Sequence, residues 1–304
     1  MKGFVYFIGY FFMAQFRHGA YYDNALDFNG GVALKIKNVF VCGGDARSIY
    51  MAEYFAGQGY SVTTFGIGGQ NEDFDGIKSA GIVALGLPAV KEGNVYMPLS
   101  DCSLPFGELL NNCCPGTVVC GGRFNRQDYC MAEDAKVTLM DYSEDEIFCT
   151  ENALYTAEGA LAELIKSGPC SLLHTRVLIV GYGRIGRALC NIMQSRVYSI
   201  TVYARRQESR TVCEVSGIAT IEDPAEAGRF DAIINTVPAN ILTSDILASV
   251  RKDCLVMDLS ARPGYVDKEL CNANGLKLLY LPGIPLKSAP KSAGISAAKA
   301  IERY

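Results

Sequence analysis

A glycine pattern typical of nucleotide binding lies in the second half of the chain. Gly181-Tyr182-Gly183-Arg184-Ile185-Gly186 follows the apolar run VLIV and precedes an amphipathic helical segment. In this pattern the first glycine permits a tight turn, the second lets the backbone approach a diphosphate, and the third lets helix and strand pack closely. Because the helix N-terminus would face the anion, we predict that these six residues bind a dinucleotide. The alternative is a glycine-rich turn in a related fold that binds no nucleotide.

The end of the next predicted strand indicates which dinucleotide would bind. An NAD site usually has Asp or Glu there, about twenty residues beyond the first glycine, to hold the ribose hydroxyls. This chain instead has Tyr203, Ala204, Arg205 and Arg206. An arginine can pair bidentately with a phosphate, so Tyr203, Arg205 and Arg206 favour NADP. NAD remains the alternative if the two arginines only form a solvated turn.

Two later strand ends are expected beside the nicotinamide ring. Thr236, Val237 and Pro238 follow the apolar run FDAIIN and are predicted to contact the ring. The segment Asp258–Gly264 follows CLVM and faces the same cleft. Within it, Arg262 is a candidate catalytic cation, whereas Asp258 is as compatible with a strand-end cap as with a functional carboxylate.

Cationic side chains after several predicted strands could bind a dicarboxylate. The substrate-binding candidates are Arg47, Arg123, Arg262 and Lys287, and Lys287 and Lys291 join Arg262 as candidate catalytic residues. Any one of them could simply form a surface salt bridge. As a set, fixed cations would both bind carboxylates and orient a reacting ring.

Histidine is scarce, although it is a common proton donor in hydroxy-acid dehydrogenases. The chain has two: His18 lies near the N-terminus, and His174 precedes the strand leading to the glycine motif. The sheet edge expected for His174 is opposite the cofactor. The sequence therefore favours a reaction driven by aromatisation over one that needs a strong catalytic acid or base.

The elements that position these residues are predicted to form an α/β fold of two doubly wound parallel-sheet domains with a cleft between them. Short apolar runs stopped by Gly or Pro indicate parallel strands. A helix from Ala46 is expected to bury Ile49, Ala52, Tyr54 and Phe55. The predicted divisions are an apolar leader at 1–35, a flavodoxin-like substrate domain at 36–150, a Rossmann domain at 151–290 and a closing helix at 291–304.

Composition restricts the functions available. The net charge of −4 over 304 residues argues against general nucleic-acid binding.

Twelve scattered cysteines predict reduced, mostly buried thiols. The group between Cys102 and Cys130 lacks the paired spacing of a zinc site, so no metal is predicted. The apolar leader resembles a signal-peptide core but is too short to span a bilayer, so no membrane association is expected. Because a nucleotide-dependent enzyme has no cofactor supply outside the cell, we expect a cytoplasmic protein, with secretion as the alternative.

Four segments resemble the dipicolinate synthase A family: VCGGDAR, ENALYTAEGAL, VLIVGYGRIGRAL and LPGIPLKSAPKSAG. The resemblance extends over roughly residues 36–304. The resemblance implies an NAD(P)-dependent oxidoreductase, the dehydrogenase-type subunit of dipicolinate synthase, in the mother cell of a sporulating bacterium. It would oxidise a dihydrodipicolinate-type precursor, from a branch of lysine biosynthesis, to pyridine-2,6-dicarboxylate. The resemblance also implies that the partner is the flavoprotein-like second subunit of the synthase, in a homo- or hetero-oligomer, but it assigns no catalytic residue.

Two other functions remain open from the sequence. One is a two-domain enzyme of the hydroxy-acid or alanine dehydrogenase type, which the shortage of histidine disfavours. The other is a regulatory module that senses NADP without turning it over, since a fold alone does not fix function.

Overall fold

The computed structural model describes residues 38–68, 72–261 and 264–304. Residues 36–304 form one compact unit. The predicted leader at 1–35, with His18, and the candidate residue Arg262 lie outside the described residues.

The first half of this unit is built on a parallel sheet. Its three central strands are short, apolar and largely buried, as expected for strands covered on both faces, whereas its two edge strands are only partly buried. The strands, including a small antiparallel hairpin of β4 and β5, are β1 (Asn38–Cys42), β2 (Ser61–Phe65), β3 (Ile82–Leu85), β4 (Val90–Lys91), β5 (Asn94–Val95), β6 (Val118–Gly121) and β7 (Thr138–Asp141). The helices are α1 (Ala46–Gly57), α2 (Phe106–Asn112) and α3 (Arg126–Asp134). The parallel strands are ordered β2-β1-β3-β6-β7, which is the flavodoxin order and confirms the predicted fold.

The second half contains a six-stranded parallel sheet. Its strands are β8 (Arg176–Val180), β9 (Ser199–Tyr203), β10 (Ala219–Ile221), β11 (Ala232–Asn235), β12 (Leu255–Asp258) and β13 (Lys277–Tyr280). The helices from the connection onward are α4 (Glu146–Ser167), α5 (Arg184–Met193), α6 (Gln207–Val215), α7 (Ser244–Ser249), α8 (Lys268–Ala273), α9 (Pro285–Ser288) and α10 (Pro290–Glu302). The strand order β10-β9-β8-β11-β12-β13 is that of the Rossmann fold, as predicted.

Short 3₁₀ segments complete the secondary structure. They are Phe74–Ser79, Tyr142–Glu144, Leu172–His174 and Pro224–Arg229.

Two long helices join the halves. Helix α4 packs against α5, whereas α10 returns to pack against α1. The α1–α10 contact is so close that a Cβ at Gly294 would collide with the carbonyl oxygen of Arg47. Tyr54 also donates from its hydroxyl to Glu302 Oε2 at 2.8 Å. Since α4 begins at Glu146, it runs across the boundary predicted between residues 150 and 151, and that boundary remains a prediction.

Burial departs from expectation on α1 and among the cysteines. The buried face of α1 is Ser48, Met51, Ala52 and Phe55, while Ile49 is 37% exposed, so its predicted burial is wrong. All twelve cysteines are free thiols, but six are buried and four are exposed. In the part of the chain that the structure describes, no helix has the length and hydrophobicity needed to cross a membrane.

Candidate functional site

The glycine motif forms the turn between β8 and α5, and its three glycines differ in their surroundings. Gly181 has φ of +101° and donates its backbone N–H to the carbonyl oxygen of Tyr203 at 2.9 Å. A Cβ on Gly183 would meet nothing within 4 Å, whereas a Cβ on Gly186 would overlap the Gly181 carbonyl oxygen. The first glycine therefore makes the turn, the second leaves an open approach to the backbone, and the third permits close packing.

The N-terminus of α5 presents backbone N–H groups without a side-chain cap, because its N-cap residue is Gly183. Helix ends of this kind bind anions. Tyr182 and Ile185 pack against the core beneath, and the Arg187 guanidinium lies 5.3 Å from the centre of the Tyr182 ring.

Arg184, in the same motif, forms a bidentate ion pair with Glu146 at the start of α4. Nη2 lies 2.5 Å from Oε2, and Nε lies 3.1 Å from Oε1. The hydrogen bond from Arg184 lowers the pKa of the Glu146 carboxyl. The motif is thus tied to the connecting helix. Glu146 was not predicted from the sequence, because residues 38 positions apart carry no spacing signal.

Beyond β9, the turn that follows Tyr203 carries the two arginines predicted to select NADP. The side chains of Arg205 and Arg206 are exposed and make no hydrogen bond or ion pair with another residue of the described ranges. Arg210 Nη1 donates to the carbonyl oxygens of Ala204 and Arg205 at 2.9 and 3.0 Å. Arg210 therefore fixes the backbone of the turn, while two cationic side chains remain available to an anion.

The residues after β11 are joined to the glycine motif. The backbone N–H and Oγ1 of Thr236 donate to the Val180 carbonyl oxygen at 3.0 and 2.9 Å. A Cβ at Gly181 would lie 2.5 Å from Val237 Cγ2, so the two loops are in close contact. Pro238, next in the chain, is exposed. The ends of β8, β9 and β11, predicted separately, therefore form one continuous edge.

Asp258 ends β12 and is fully buried. Its Oδ1 accepts from the backbone N–H of Ser260 at 3.0 Å, and its Oδ2 accepts from those of Tyr265 and Val266 at 2.8 and 3.1 Å. Of the two interpretations of Asp258, this geometry favours the strand-end cap. The carboxylate fixes both ends of the loop after β12. Arg262 belongs to this stretch of the sequence but lies outside the described residues.

The cationic candidates fall into two groups. Arg47 makes its hydrogen bonds within the protein. Its Nε and Nη2 donate to the two carboxylate oxygens of Asp45 at 2.8 and 2.7 Å. Its Nη2 also donates to the Leu87 carbonyl oxygen at 2.6 Å. Its side chain is only 13% exposed. These contacts favour a structural role for Arg47, which holds the N-terminus of α1 against the end of β3.

Arg123, Lys287 and Lys291 are exposed, and none has an ion-pair partner among the residues that the structure describes. Arg123 lies just after β6 with φ of +63°. Lys287 and Lys291 flank the start of α10, whose N-cap Ala289 offers no side-chain acceptor. Unpaired cations beside an uncapped helix N-terminus favour the binding of an anion there.

The site fits a nicotinamide dinucleotide in several respects. The open face of Gly183 and the uncapped α5 suit a diphosphate, and the unpaired Arg205 and Arg206 suit a further phosphate. The Ser260 hydroxyl, on the loop after β12, is buried and has no hydrogen-bond partner in the described structure. A buried hydroxyl without a partner is costly, so it is available to a polar group of a ligand.

Two comparisons by sequence find similarity to the same protein, dipicolinate synthase A. The family model described as the N-terminal domain of dipicolinate synthase A matches residues 38–143. Dipicolinate synthase A of Bacillus subtilis is 29% identical over 167 residues, which are 54% of this chain and 56% of that protein. The match thus spans little more than half the length of this relative.

Solved structures show the same fold. Dipicolinate synthase A from Bacillus halodurans aligns with a TM-score of 0.80 at 24% identity, covering 88% of this chain and 97% of that one. A transhydrogenase from Sinorhizobium meliloti gives 0.63 at 13% identity, with 87% and 92% coverage. A D-lactate dehydrogenase from Treponema pallidum gives 0.60 at 10% identity, with 87% and 95% coverage. The chain therefore shares the fold of these proteins.

Proposed function

We propose that this chain is a member of the dipicolinate synthase A family, and that it oxidises a dihydropyridine dicarboxylate to pyridine-2,6-dicarboxylate. The substrate loses a hydride and a proton, and its ring becomes aromatic. The hydride passes to a nicotinamide nucleotide, with NADP preferred over NAD. The observation that carries the proposal is the open face of Gly183 at an uncapped helix N-terminus, beside two arginines without partners among the described residues.

The residues of the glycine motif would hold the diphosphate, and Arg205 and Arg206 would hold the 2′-phosphate. Thr236, Val237 and Pro238 would border the nicotinamide ring. When bound, the nucleotide supplies the hydride acceptor, and the protein supplies orientation and charge. The turn fixed by Arg210 and the loop fixed by Asp258 would hold these groups in place before any ligand arrives.

The substrate carries two carboxylates, so its binding requires compensating positive charge. Lys287 and Lys291 lie four residues apart on either side of the α10 N-terminus, and both are exposed. We assign them, with Arg123 and Arg262, to binding and orienting the dicarboxylate, and we assign Arg47 to positioning the end of β3. Fixed cations of this kind lower the cost of bringing a dianion to the hydride acceptor.

The partner and setting follow from the same proposal. Because the relatives are named as one of the subunits of dipicolinate synthase, we propose that the flavoprotein-like second subunit works with this chain during sporulation. The two would meet as a hetero-oligomer in the mother cell.

The direct test is turnover by the purified chain mixed with the flavoprotein-like subunit, NADP and a freshly generated dihydropyridine dicarboxylate. We expect reduced nucleotide and pyridine-2,6-dicarboxylate to appear in equal amounts, and the Gly183→Ala variant to form both more slowly when NADP is limiting. D-lactate and alanine serve as counter-substrates and should give no turnover. Absence of the pyridine product with an active partner present would refute the proposal, and turnover of D-lactate instead would favour a hydroxy-acid dehydrogenase.

A further inference from the structure

Two consecutive backbone N–H groups converge on one carboxylate oxygen at the end of β2. Those of Ile67 and Gly68 donate to Glu72 Oε1 at 3.0 and 2.9 Å. Gly66 and Gly68, on either side of Ile67, have φ of +69° and +83°. Successive N–H groups arranged in this way form an anion-binding concavity.

The buried Ile67 amide requires an acceptor whether or not a ligand is bound, whereas Gly68 is exposed. Ile67 is only 5% exposed, so water has little access around it. A backbone N–H without an acceptor in such a position is strongly disfavoured. In this structure Glu72 supplies the acceptor, which shows directly that the concavity accommodates a carboxylate oxygen.

Glu72 is placed so that its carboxylate can leave. Its side chain is exposed, while the backbone beside it is held by the Asp73 N–H, which donates to the Thr64 carbonyl oxygen at 3.1 Å. The side chain can therefore rotate into solvent without moving the strand. An incoming carboxylate would then receive the same two hydrogen bonds.

The concavity lies at the carboxyl end of the first sheet. The Gly43 N–H after β1 donates to the Phe65 carbonyl oxygen at 2.8 Å, which joins the ends of the two strands. Glu72 forms an isolated parallel bridge with Thr64 of β2, which places it beside this edge. Ligands of open parallel sheets bind at the carboxyl ends of their strands.

We propose that the Ile67 and Gly68 amides bind one carboxylate of the substrate, and that Glu72 occupies their site in the ligand-free chain. The identity of the ligand as a small cyclic dicarboxylate rests on the proposed function. Binding is an exchange of one carboxylate for another, so Glu72 acts as an internal competitor. The apparent affinity is then reduced by the fraction of molecules in which Glu72 holds the site.

Calorimetric titration of the full chain with pyridine-2,6-dicarboxylate, without nucleotide, tests this competition. Glu72→Ala should lower Kd about tenfold. Glu72→Gln, which keeps a weaker acceptor oxygen, should fall between Glu72→Ala and the wild type. The matched control is Glu53→Ala, an exposed glutamate on α1, which should change Kd by less than about twofold. An unchanged or higher Kd in Glu72→Ala, or equal effects of the two alanine variants, overturns the proposal.

A second measurement reads the amides themselves. In ¹⁵N-labelled protein, the Ile67 and Gly68 resonances should shift in Glu72→Ala and return towards their wild-type positions when the dicarboxylate is added. If the Ile67 and Gly68 chemical shifts do not change when the dicarboxylate is added, the proposal is also overturned. Neither measurement involves turnover, so a failure of the oxidation assay alone leaves these results intact, and turnover without these effects refutes only the carboxylate site.

Discussion

Asn235 Nδ2 donates to Asp258 Oδ1 at 2.9 Å, which joins the ends of β11 and β12 in the protein interior. Asn235 is 1% exposed, and its side chain also bonds both the N–H and the carbonyl oxygen of Val237 at 3.1 Å. The two loops assigned to the nicotinamide are thus fixed to each other by buried polar groups. Such fixed geometry avoids reorganisation when a ligand binds.

Removing the Asp258 carboxylate should destabilise the protein. Asp258→Ala leaves the Asn235 amide and three backbone N–H groups without their acceptor, and we expect the free energy of unfolding to fall by about 3 kcal/mol. Urea denaturation measures the change. Asp101→Ala removes an exposed carboxylate and should stay within about 0.5 kcal/mol of the wild type. A loss of that small size in Asp258→Ala would show that the loop does not depend on this network.

Alanine substitutions at two glycines of the nucleotide motif should differ in their effects: one should weaken nucleotide binding, and the other should lower the stability of the fold. Gly183→Ala places a methyl group in open space, so stability should fall by less than about 1 kcal/mol. Affinity for both nucleotides should fall at least about tenfold, because the methyl group lies where the diphosphate approaches. Gly186→Ala instead overlaps the Gly181 carbonyl oxygen and should cost about 3 kcal/mol of stability. Thermal unfolding and fluorescence titration with NADPH and NADH distinguish the two, and full affinity in a folded Gly183→Ala would contradict the assignment.

The parts of the fold that the sequence predicted correctly depend on local patterns. Apolar runs ending in Gly or Pro marked the parallel strands, and the placement of the glycine motif between an apolar run and an amphipathic helix predicted the Rossmann half. The surroundings of Gly181, Gly183 and Gly186 in the structure agree with the steric roles expected for each. Steric constraints of this kind involve only a few adjacent residues, so they are visible without tertiary contacts.

The parts that were missed depend on contacts between distant residues. Arg184 meets Glu146 only because α4 and α5 pack together, and Arg47 reaches the Leu87 carbonyl oxygen only because α1 begins beside the end of β3. Ile49 was expected in the core because the helical pattern does not show which face α10 covers. An arginine near a strand end can bind a ligand or pair within the protein, and only the folded structure distinguishes the two.

The choice between NADP and NAD should depend on Arg205 and Arg206. Both side chains are exposed and unpaired within the described residues, so they can contact a 2′-phosphate directly. In the double variant Arg205→Ala/Arg206→Ala we expect Kd for NADPH to rise about 30-fold, corresponding to about 2 kcal/mol for charged hydrogen bonds, with Kd for NADH changed less than about twofold. Arg126→Ala, an exposed arginine on α3, is the control. An equal rise in Kd for NADPH and NADH would contradict the 2′-phosphate assignment.

Acid stability should depend on Asp231, at the opposite edge of the second sheet. Its Oδ2 accepts from the Arg176 backbone N–H and Nε at 2.8 and 2.9 Å, and its Oδ1 accepts from Arg251 Nη1 at 2.9 Å. The hydrogen bonds from Arg176, chiefly, and the charge of Arg251 lower the pKa of the Asp231 carboxyl below its ordinary value of 3.8. A depressed pKa means that ionised Asp231 stabilises the folded chain above its unfolded pKa, and that this contribution is lost as the pH falls through the folded pKa.

Asp231→Asn should therefore lower the free energy of unfolding by about 2 kcal/mol near pH 7, and the difference from the wild type should shrink as the pH falls below about 4. Urea denaturation at about pH 7, 5 and 3 follows this change. Asp75→Asn, which breaks an exposed pair with Lys78, should cost less than about 0.5 kcal/mol at each pH. Nucleotide affinity should be unchanged in Asp231→Asn, since this carboxylate lies at the amino end of β11, away from the glycine motif. A difference that grows towards low pH would show that the pKa of Asp231 is raised rather than lowered.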